Sequence, residues 1–553
     1  MFLDIFPHKS CYRPGESVRL TVELMANIDL NVRLIVSIKF LAYEVTRLND
    51  TVRLRAGDRA TTELSLLPPD RAPRGYGADL LVLDSAGRII AEASTAFDVL
   101  EHWTQAPRYG FLSDFDPQRM NVGTTMTWLT RYHINGVQFY DWMYRHEQLL
   151  PPNETFTDPL GRHLSLDTVR RLIDAAHGCG IAAMPYTAVY AASRSFYEMH
   201  PDWALLDAEG RPIPFGDDFL MIMNPAPGSP WSDHLLAQFE GVLERTAFDG
   251  IHLDQYGEPK EGHDAQGRFV PLDGAFPAFI DATKQVVRRH RGTAGAVIFN
   301  AVRNWPIETL APSEQDVVYI EVWPPYTSYE DLHRLIVEGQ QLSGGKPVVL
   351  AAYADPAQER NVRLINAVIF ASGGYHIELG EPGMMLADPY FPSYGQLSEE
   401  LQRIMRSTYD FAVRYQNVLS LSTRDATSAY AGRVLVDGVN LAGEGSWNMI
   451  WPIVRESDHA VAVSLVNLPR ARSLEWAQAL PGDPPLQEDL AVRLFTDQPV
   501  ERIWWATPDG DDPAAQPLTV TRGSEEAGAY VAFRVPSLLY WDLIVVELKP
   551  VER

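Results

Sequence analysis

The chain has 553 residues, of which 46% are hydrophobic and 22% are charged, as expected for a globular protein with more than one domain. A formal net charge of −25 argues against a nucleic-acid partner, because phosphate binding requires a basic surface. No apolar run is long enough to span a bilayer, so we expect no membrane association. The negative net charge favours a neutral substrate.

The two cysteines, Cys11 and Cys179, fall in different predicted domains, which argues against a structural disulfide and a Cys-based metal site. Residues 1–7 lack a basic segment followed by a long apolar stretch, so no signal peptide is visible. On this sequence we expect a cytoplasmic protein, and an extracellular protein that has lost its leader is the alternative. For the oligomeric state we favour a monomer.

The first predicted domain covers residues 1–104. Short alternating runs at residues 17–24 and 32–38 are separated by turn clusters, and residues 78–84 lead into a hairpin turn. This pattern is typical of an immunoglobulin-like β-sandwich.

The second predicted domain covers residues 105–420, where apolar strands alternate with amphipathic helical segments. Helices are predicted over residues 166–180 and 231–246, and a long excursion between the third and fourth strands is expected to shape a cleft. Eight strands are predicted, the number that a (β/α)8 TIM barrel requires. They cover residues 109–115, 136–142, 181–187, 250–256, 296–302, 317–323, 347–353 and 375–380.

The third predicted domain covers residues 421–553, where short strands return at residues 461–467, 530–535 and 541–548. We predict a C-terminal antiparallel β-sandwich there. The expected architecture is therefore multidomain, with a central barrel between two β-sandwiches.

Residues 249–257 are typical of a buried strand that ends in a carboxylate. Alternation places Ile251 and Leu253 on one face and His252 and Asp254 on the other. Because barrel enzymes keep their active sites at the carboxyl ends of the strands, Asp254 is a candidate catalytic residue. For Asp254 taken alone, a helix cap or a turn residue is the alternative.

A second carboxylate lies in the sixth predicted strand, where alternation directs Tyr319, Glu321 and Trp323 inward. The mouths of strands four and six are close enough for two carboxyl groups to flank one glycosidic bond, as glycoside hydrolysis requires. The apolar flank of Glu321 favours its protonated form, so we predict Glu321 as general acid/base and Asp254 as nucleophile. Taken alone, Glu321 is also explained by an ion pair with a Lys or Arg inside the barrel.

Asp141 lies near the end of the second predicted strand, in phase with Val137 and Phe139, and we predict that it points inward. We favour hydrogen bonding to sugar hydroxyls for this residue, and capping is the alternative.

Other residues near strand ends are predicted to contact substrate. Aromatic rings offer flat apolar faces to pyranose rings, and Asn and His side chains hydrogen-bond hydroxyls. For any single aromatic residue, core packing is the alternative. No metal triad, nucleotide-binding glycine loop or Gly-x-Ser-x-Gly elbow occurs, so we expect neither a metal nor a cofactor. The predicted substrate-binding residues are Tyr140, Trp142, Tyr186, His252, Tyr256, Asn300, Trp323 and His376.

Three motifs are specific in combination: FDGIHLDQYG at residues 248–257, YIEVWP at 319–324 and QFYDWMYRH at 138–146. Together they resemble glycoside hydrolase family 66, which contains endo-dextranases and cycloisomaltooligosaccharide glucanotransferases, and the resemblance extends over nearly the whole chain. It implies retaining cleavage of α-1,6-glucan. It also implies a covalent glucosyl-enzyme on Asp254, acid/base catalysis by Glu321 and substrate binding by Asp141.

Cyclising members of that family typically carry a carbohydrate-binding module inserted into the barrel, and this sequence shows no insertion of domain size. We therefore expect a hydrolase that releases linear products from dextran or isomaltooligosaccharides. A cycloisomaltooligosaccharide glucanotransferase is the first alternative, and a non-catalytic carbohydrate-binding protein is the second. Because no export signal is visible, trimming of short isomaltooligosaccharides inside the cell is a variant of the predicted hydrolase function.

Overall fold

The structure is a computed structural model that describes residues 1–69, 71–217, 219–439, 441, 449–469 and 474–549. Its centre is an eight-stranded, nearly closed parallel barrel, in which each strand pairs with the next along the chain. All eight predicted strands are present. They are Tyr109–Leu112 (β1), Gly136–Phe139 (β2), Ala182–Ala188 (β3), Gly250–Asp254 (β4), Ala296–Val302 (β5), Val317–Glu321 (β6), Val348–Ala351 (β7) and Tyr375–His376 (β8).

The seam between β1 and β8 depends on glycine. Phe111 donates its backbone N–H to the carbonyl of Leu379 at 3.1 Å, which links the two edge strands. A Cβ added at Gly380 would lie 1.9 Å from the carbonyl oxygen of Phe111, so only glycine permits this approach. Backbone contact therefore bridges the seam of the nearly closed barrel.

One helix follows each barrel strand. Four of the eight begin at a serine whose side chain accepts a hydrogen bond from the third residue of the helix, the usual N-cap arrangement. The helices are Val122–Arg131 (α1), Leu166–Gly178 (α2), Pro230–Arg245 (α3), Leu272–Arg291 (α4), Ile307–Leu310 (α5), Tyr329–Leu342 (α6), Glu359–Ala371 (α7) and Glu399–Arg414 (α8). The helices predicted over 166–180 and 231–246 correspond to α2 and α3.

Short strands and a short helix lie in the loops at the mouth of the barrel. The excursion between β3 and α3 contains a helix at Arg194–Met199 and a three-stranded antiparallel sheet. The strands of that sheet are Ala191–Ser193, Pro214–Phe215 and Leu220–Ile222. Two-stranded pairs lie after β2, β4 and β8, at Thr155–Thr157 with His163–Ser165, Glu261–His263 with Phe269–Pro271, and Met384–Met385 with Gly395–Gln396.

The N-terminal part of the chain forms two antiparallel sheets around one apolar core. The three-stranded sheet contains Phe2–Pro7, Val18–Met25 and Arg59–Leu66. The four-stranded sheet contains Leu30–Phe40, Tyr43–Leu54, Arg74–Leu83 and Ile89–Val99. A buried ion pair between Arg414 and Asp79, with 2.6 Å between nitrogen and oxygen, connects the four-stranded sheet to α8. The immunoglobulin-like topology of this part stays a prediction.

The C-terminal part also forms two antiparallel sheets that share a core. The six-stranded sheet contains Arg424–Asp425, Ile450–Glu456, Ala460–Asn467, Val500–Ala506, Gln516–Pro517 and Trp541–Leu548. The four-stranded sheet contains Val434–Val436, Gln487–Phe495, Thr521–Glu525 and Gly528–Leu538. Within the described part of the chain, no helix is long and apolar enough to cross a membrane.

Candidate active site

A cleft of about 470 Å³ opens at the carboxyl ends of the barrel strands. Strands β4 and β6 end at Asp254 and Glu321, so their last residues carry carboxylates into the cleft. This placement is the one that parallel barrels use for active sites. Seven of the predicted site residues line the cleft: Tyr140, Asp141, Tyr186, Asp254, Tyr256, Glu321 and Trp323.

Asn300 connects the two carboxylates. It lies on β5, between β4 and β6, and its side-chain nitrogen donates to Asp254 Oδ1 at 2.7 Å and to Glu321 Oε2 at 2.9 Å. Because one nitrogen reaches both acceptors, these two oxygens lie less than about 6 Å apart, within the range of retaining glycosidases. Asn300 is 5% exposed and holds the pair from below the cleft.

Each carboxylate has a tyrosine of its own. Tyr186, on β3, donates its hydroxyl proton to Asp254 Oδ2 at 2.7 Å. Tyr353, two residues past β7, donates to Glu321 Oε1 at 2.7 Å. Donors on both oxygens fix the orientation of each carboxyl group and stabilise its ionised form.

Burial disfavours the ionised forms of both carboxyl groups. Burial and the charge of Glu321 raise the pKa of Asp254 to about 7, against the hydrogen bonds from Tyr186 and Asn300. Burial also raises the pKa of Glu321, against the hydrogen bonds from Asn300 and Tyr353. Since two carboxylates this close cannot both ionise freely, they share one proton near neutral pH, and that proton belongs to the pair. One ionised and one protonated carboxyl group is the state that glycoside cleavage needs.

Asp141 enters the cleft through a break in strand geometry. Simple alternation would place Tyr140 and Asp141 on opposite faces, yet both line the cleft. Strand β2 ends at Phe139, and Asp141 adopts the left-handed conformation with φ of 50°. The prediction that Asp141 shares the phase of Phe139 is therefore wrong, since Phe139 packs on Phe115 in the core.

Arg162 holds Asp141 at the backbone. Its guanidinium donates to the Asp141 carbonyl at 2.9 Å and lies 3.6 Å from the carboxylate. Burial raises the pKa of Asp141 to about 7, although the charge of Arg162 opposes the shift. The carboxyl group is therefore ready to donate as well as accept hydrogen bonds near neutral pH.

Aromatic rings form the walls of the cleft. Tyr256 stacks on Phe215, with ring centroids 4.1 Å apart and planes 16° apart, and Tyr140 stacks on Phe391 at 4.3 Å. Sequence reasoning missed Phe215, which comes from the excursion between β3 and α3. The only signal for it was the length of that excursion. The other lining residues that were missed include Phe219, Tyr390, Arg303, His146 and Asp158.

Three residues predicted to bind substrate lie away from the cleft. Trp142 is fully buried and donates its indole N–H to the carbonyl of Tyr186 at 3.2 Å. His376 is 1% exposed and contacts the carbonyl of Ala352 at 2.9 Å. The structure leaves these side chains out of the cleft lining, because a two-residue period identifies the face of a strand but not the height above the barrel floor.

His252 is the third of these residues and lies in the barrel interior. Its ring stacks on Tyr109, meets Tyr319 edge to face at 5.0 Å and is 1% exposed. Burial lowers the pKa of His252 to about 3. It is a neutral core residue one layer below the carboxylates.

Comparison with known proteins identifies the family of the chain. The chain matches the Glycosyl hydrolase family 66 profile over residues 7–545. The chain belongs to glycosyl hydrolase family 66. Membership makes the protein a glycoside hydrolase, and it agrees with the resemblance seen in the three motifs.

Two curated relatives in family 66 are similar over most of the chain. A cycloisomaltooligosaccharide glucanotransferase from Niallia circulans is 24% identical, over 98% of this chain and 71% of the relative. A dextranase from Streptococcus salivarius is 21% identical, over 86% of this chain and 67% of the relative.

A solved structure has the same fold. It is a cycloisomaltooligosaccharide glucanotransferase from Paenibacillus sp., complexed with cycloisomaltoheptaose, which is 24% identical and superposes with a TM-score of 0.91. The superposition covers 98% of this chain and 99% of that chain.

Proposed function

We propose that this family 66 enzyme is a retaining endo-hydrolase of α-1,6-glucosidic linkages in dextran or isomaltooligosaccharides. The observation that carries the proposal is the single amide of Asn300 between Asp254 and Glu321, which sets the short carboxylate spacing of retaining enzymes. The two curated relatives, named as a dextranase and a cycloisomaltooligosaccharide glucanotransferase, support the substrate class.

In the first step, an oxygen of Asp254 attacks the anomeric carbon from one side of the sugar ring. Glu321 donates its proton to the departing glycosidic oxygen, so that the leaving chain departs as an alcohol. The product of this step is a covalent glucosyl-enzyme on Asp254. Tyr186 and Asn300 hold the attacking carboxylate in place through their hydrogen bonds.

In the second step, the ionised Glu321 accepts a proton from water, and the water oxygen attacks the anomeric carbon. The bond to Asp254 breaks, and the carboxylate returns to its starting state. Two displacements at one carbon retain its configuration. Tyr353 stabilises Glu321 while the residue carries the negative charge.

The cleft suits a neutral sugar chain. Stacked aromatic pairs offer flat apolar faces, and Asp141 offers an acceptor and a donor for hydroxyl groups. We propose substrate contacts for Tyr140, Asp141, Tyr256 and Trp323, all of which line the cleft. Tyr186 and Asn300 instead contact the carboxylates and position them.

Gaps inside the aligned region support hydrolysis over cyclisation. The alignment with the Niallia circulans glucanotransferase extends over 702 positions, against 553 residues in this chain, so the relative contains segments that this chain lacks. We infer that a segment used in cyclisation is among them. A glucanotransferase is the alternative function, because the same covalent intermediate can pass to a sugar hydroxyl instead of water.

The domain limits are also proposed. We place the barrel domain at residues 105–420, because a short 3-10 helix, Trp103–Gln105, precedes β1, and the helix Gln416–Leu419 closes the βα pattern. An immunoglobulin-like sandwich over residues 1–104 and a β-sandwich over 421–553 then flank it.

The test is product analysis after incubation with dextran, with reducing ends recorded by NMR before mutarotation. Linear isomaltooligosaccharides that first appear as the α-anomer are the expected result. Cyclic products would assign the enzyme to the transferase alternative, and first appearance of the β-anomer would overturn the retaining mechanism. Cleavage of short isomaltooligosaccharides without action on dextran would restrict the function to trimming, and no products from either would overturn the proposal.

A further inference from the structure

Arg303 lies in a tight turn directly after β5. Arg303 and Asn304 have φ of 55° and 59°, and the backbone N–H of Trp305 donates to the carbonyl of Val302 at 3.2 Å, as in a type I′ turn. Such turns favour Gly, Asn and Asp, which adopt positive φ with the least strain. An arginine at the first central position is therefore unfavourable for the turn.

The turn is fixed by neighbours on β6 and α6. The backbone N–H of Arg303 donates to the carbonyl of Glu321 at 3.0 Å, and the side chain of Asn304 donates to Glu338 Oε2 at 2.8 Å. Val302, the residue before the turn, pairs with Glu321 in the register of β5 and β6. Arg303 therefore begins beside the backbone of the proposed general acid/base.

The guanidinium of Arg303 is available to a ligand. Arg303 is exposed and lines the active-site cleft, and its side chain has no hydrogen bond or ion pair within the described part of the chain. Of the described residues that line the cleft, it is the only Lys or Arg, although five Asp and Glu residues also line it. Because none of these carboxylates holds the guanidinium, its N–H groups can donate to substrate.

Positive φ is a property that Arg303 shares with Asp141. Eight non-glycine residues in the described part of the chain have positive φ, and Asp141 and Arg303 are the two that line the cleft. Such conformations persist where the surroundings fix them, and they cluster at functional sites. A strained position, an exposed cation and a place beside Glu321 together indicate a role in the cleft.

We propose that Arg303 is a substrate-binding residue that donates hydrogen bonds to hydroxyl groups of the sugar unit on the leaving side of the scissile bond. The inference rests on the proposed function, because it takes an α-1,6-glucan as substrate and Glu321 as the acid. The acid faces the departing glycosidic oxygen, so the leaving sugar lies on the side of Glu321, where Arg303 begins. Asp141 follows β2, three strands from β5, and lies on another wall.

The test compares two substrates with the wild-type protein and with Arg303→Gly. The leaving unit of a linear isomaltooligosaccharide carries hydroxyl groups, whereas the leaving group of a phenyl α-glycoside of isomaltose has none that could accept from Arg303. Arg303→Gly is expected to lower kcat/KM about tenfold on the oligosaccharide, the effect of losing about one hydrogen bond, and to lower phenol release much less.

Ser422→Gly is the matched control. Ser422 is exposed and has φ of 56°, but it does not line the cleft, so this variant also removes a side chain at positive φ and should keep wild-type kcat/KM. If the wild-type protein cleaves neither substrate, the proposed function is at fault. If it cleaves the oligosaccharide and Arg303→Gly cleaves it equally well, or loses the same factor on both substrates, binding by Arg303 is wrong.

Urea unfolding of the same variants separates binding from folding and does not depend on the phenyl substrate. Glycine adopts positive φ without strain from a Cβ atom, so Arg303→Gly is expected to keep or raise the urea midpoint while it loses activity on the oligosaccharide. A loss of activity accompanied by a lower midpoint would overturn the proposal, because Arg303 would then support the fold and not the substrate.

Discussion

Tyr353 donates its hydroxyl proton to Glu321 over 2.7 Å, from a position two residues past the strand that pairs with the one carrying Glu321. Tyr186 does the same for Asp254 from the other side of the pair. Each carboxylate accepts a hydrogen bond from its own tyrosine, and both accept one from Asn300. A substitution of one tyrosine therefore perturbs mainly one of the two carboxylates. Separate effects on the two sides of the pH profile follow from this arrangement.

Removing the Tyr353 hydroxyl is expected to move the alkaline side of the profile. The hydrogen bond from Tyr353 lowers the pKa of Glu321, so Tyr353→Phe raises it, and Glu321 keeps its proton to higher pH. Since Glu321 must be protonated for the first step, the alkaline limb of kcat/KM shifts upward, and the maximal value falls about tenfold. Tyr375→Phe is the control, because its hydroxyl contacts Ser420 outside the cleft. An alkaline limb that stays in place would contradict the acid role.

Tyr186→Phe is expected to move the opposite limb. The Tyr186 hydroxyl lowers the pKa of Asp254, so its loss raises that pKa, and Asp254 becomes protonated at a higher pH. A nucleophile must be ionised, so the acidic limb of kcat/KM moves upward while the alkaline limb changes less. The same pH series measures both variants. A shift of the alkaline limb alone would exchange the roles of Asp254 and Glu321.

Replacing the bridging amide is expected to cost more than removing either hydroxyl. Asn300→Ala removes the donor shared by both carboxylates, which raises the pKa of each and leaves the pair without its bridge, so kcat should fall about 100-fold. Asn300→Asp keeps the shape but can donate only when protonated, so its activity should recover partly as the pH is lowered. Steady-state rates over a pH range check both variants. Wild-type rates for Asn300→Asp at neutral pH would show that the bridge is dispensable.

The barrel and its two carboxylates were accessible from sequence because a buried strand and a residue at its end are local patterns. Asp254 and Glu321 terminate β4 and β6, where the two-residue period still holds. Asp141 reaches the cleft by a left-handed backbone conformation, which no period encodes. Trp142 lies past the end of β2 and His376 is the last residue of β8, and both side chains are buried.

Some wall residues of the cleft were beyond sequence reasoning for a different reason. Phe215 reaches Tyr256 from the excursion between β3 and α3, about 40 residues away in sequence, and stacking over such a distance is a tertiary property. His146 belongs to a motif that was recognised, yet its place in the wall of the cleft is visible only in the structure.

Glu321→Gln is expected to separate the two chemical steps. A glutamine cannot donate the proton, so hydrolysis of glucan should fall at least about 1,000-fold, whereas substrates with good leaving groups, such as aryl glucosides, need less assistance. Asp254→Ala is the comparison, because loss of the nucleophile should abolish turnover on both substrate types without unfolding the protein. Steady-state rates on both substrates test the chemistry, and circular dichroism of each variant checks that the protein is folded. Equal losses on both substrates for Glu321→Gln would contradict acid catalysis by this residue.

His252 is expected to make the fold sensitive to acid. Burial lowers the pKa of His252 to about 3 in the folded state, against 6.5 for the unperturbed side chain. Between these values the unfolded chain binds a proton that the folded protein does not, so stability falls as the pH drops from about 6.5 towards 3. The slope is at most roughly 1.4 kcal/mol per pH unit. His252→Phe, which keeps a ring between Tyr109 and Tyr319, should reduce this slope.

His177 provides a control of opposite sign. The hydrogen bond to Asp249 raises the pKa of His177, so this group adds stability at low pH and loses that contribution as the pH rises through its folded value. His177→Phe should therefore weaken the protein more at pH 5 than at pH 8, while His252→Phe should be relatively better tolerated at pH 5 than at pH 8. Urea unfolding at the two pH values measures both differences. If His252→Phe leaves the pH dependence of the unfolding free energy unchanged, the buried neutral ring is not its source.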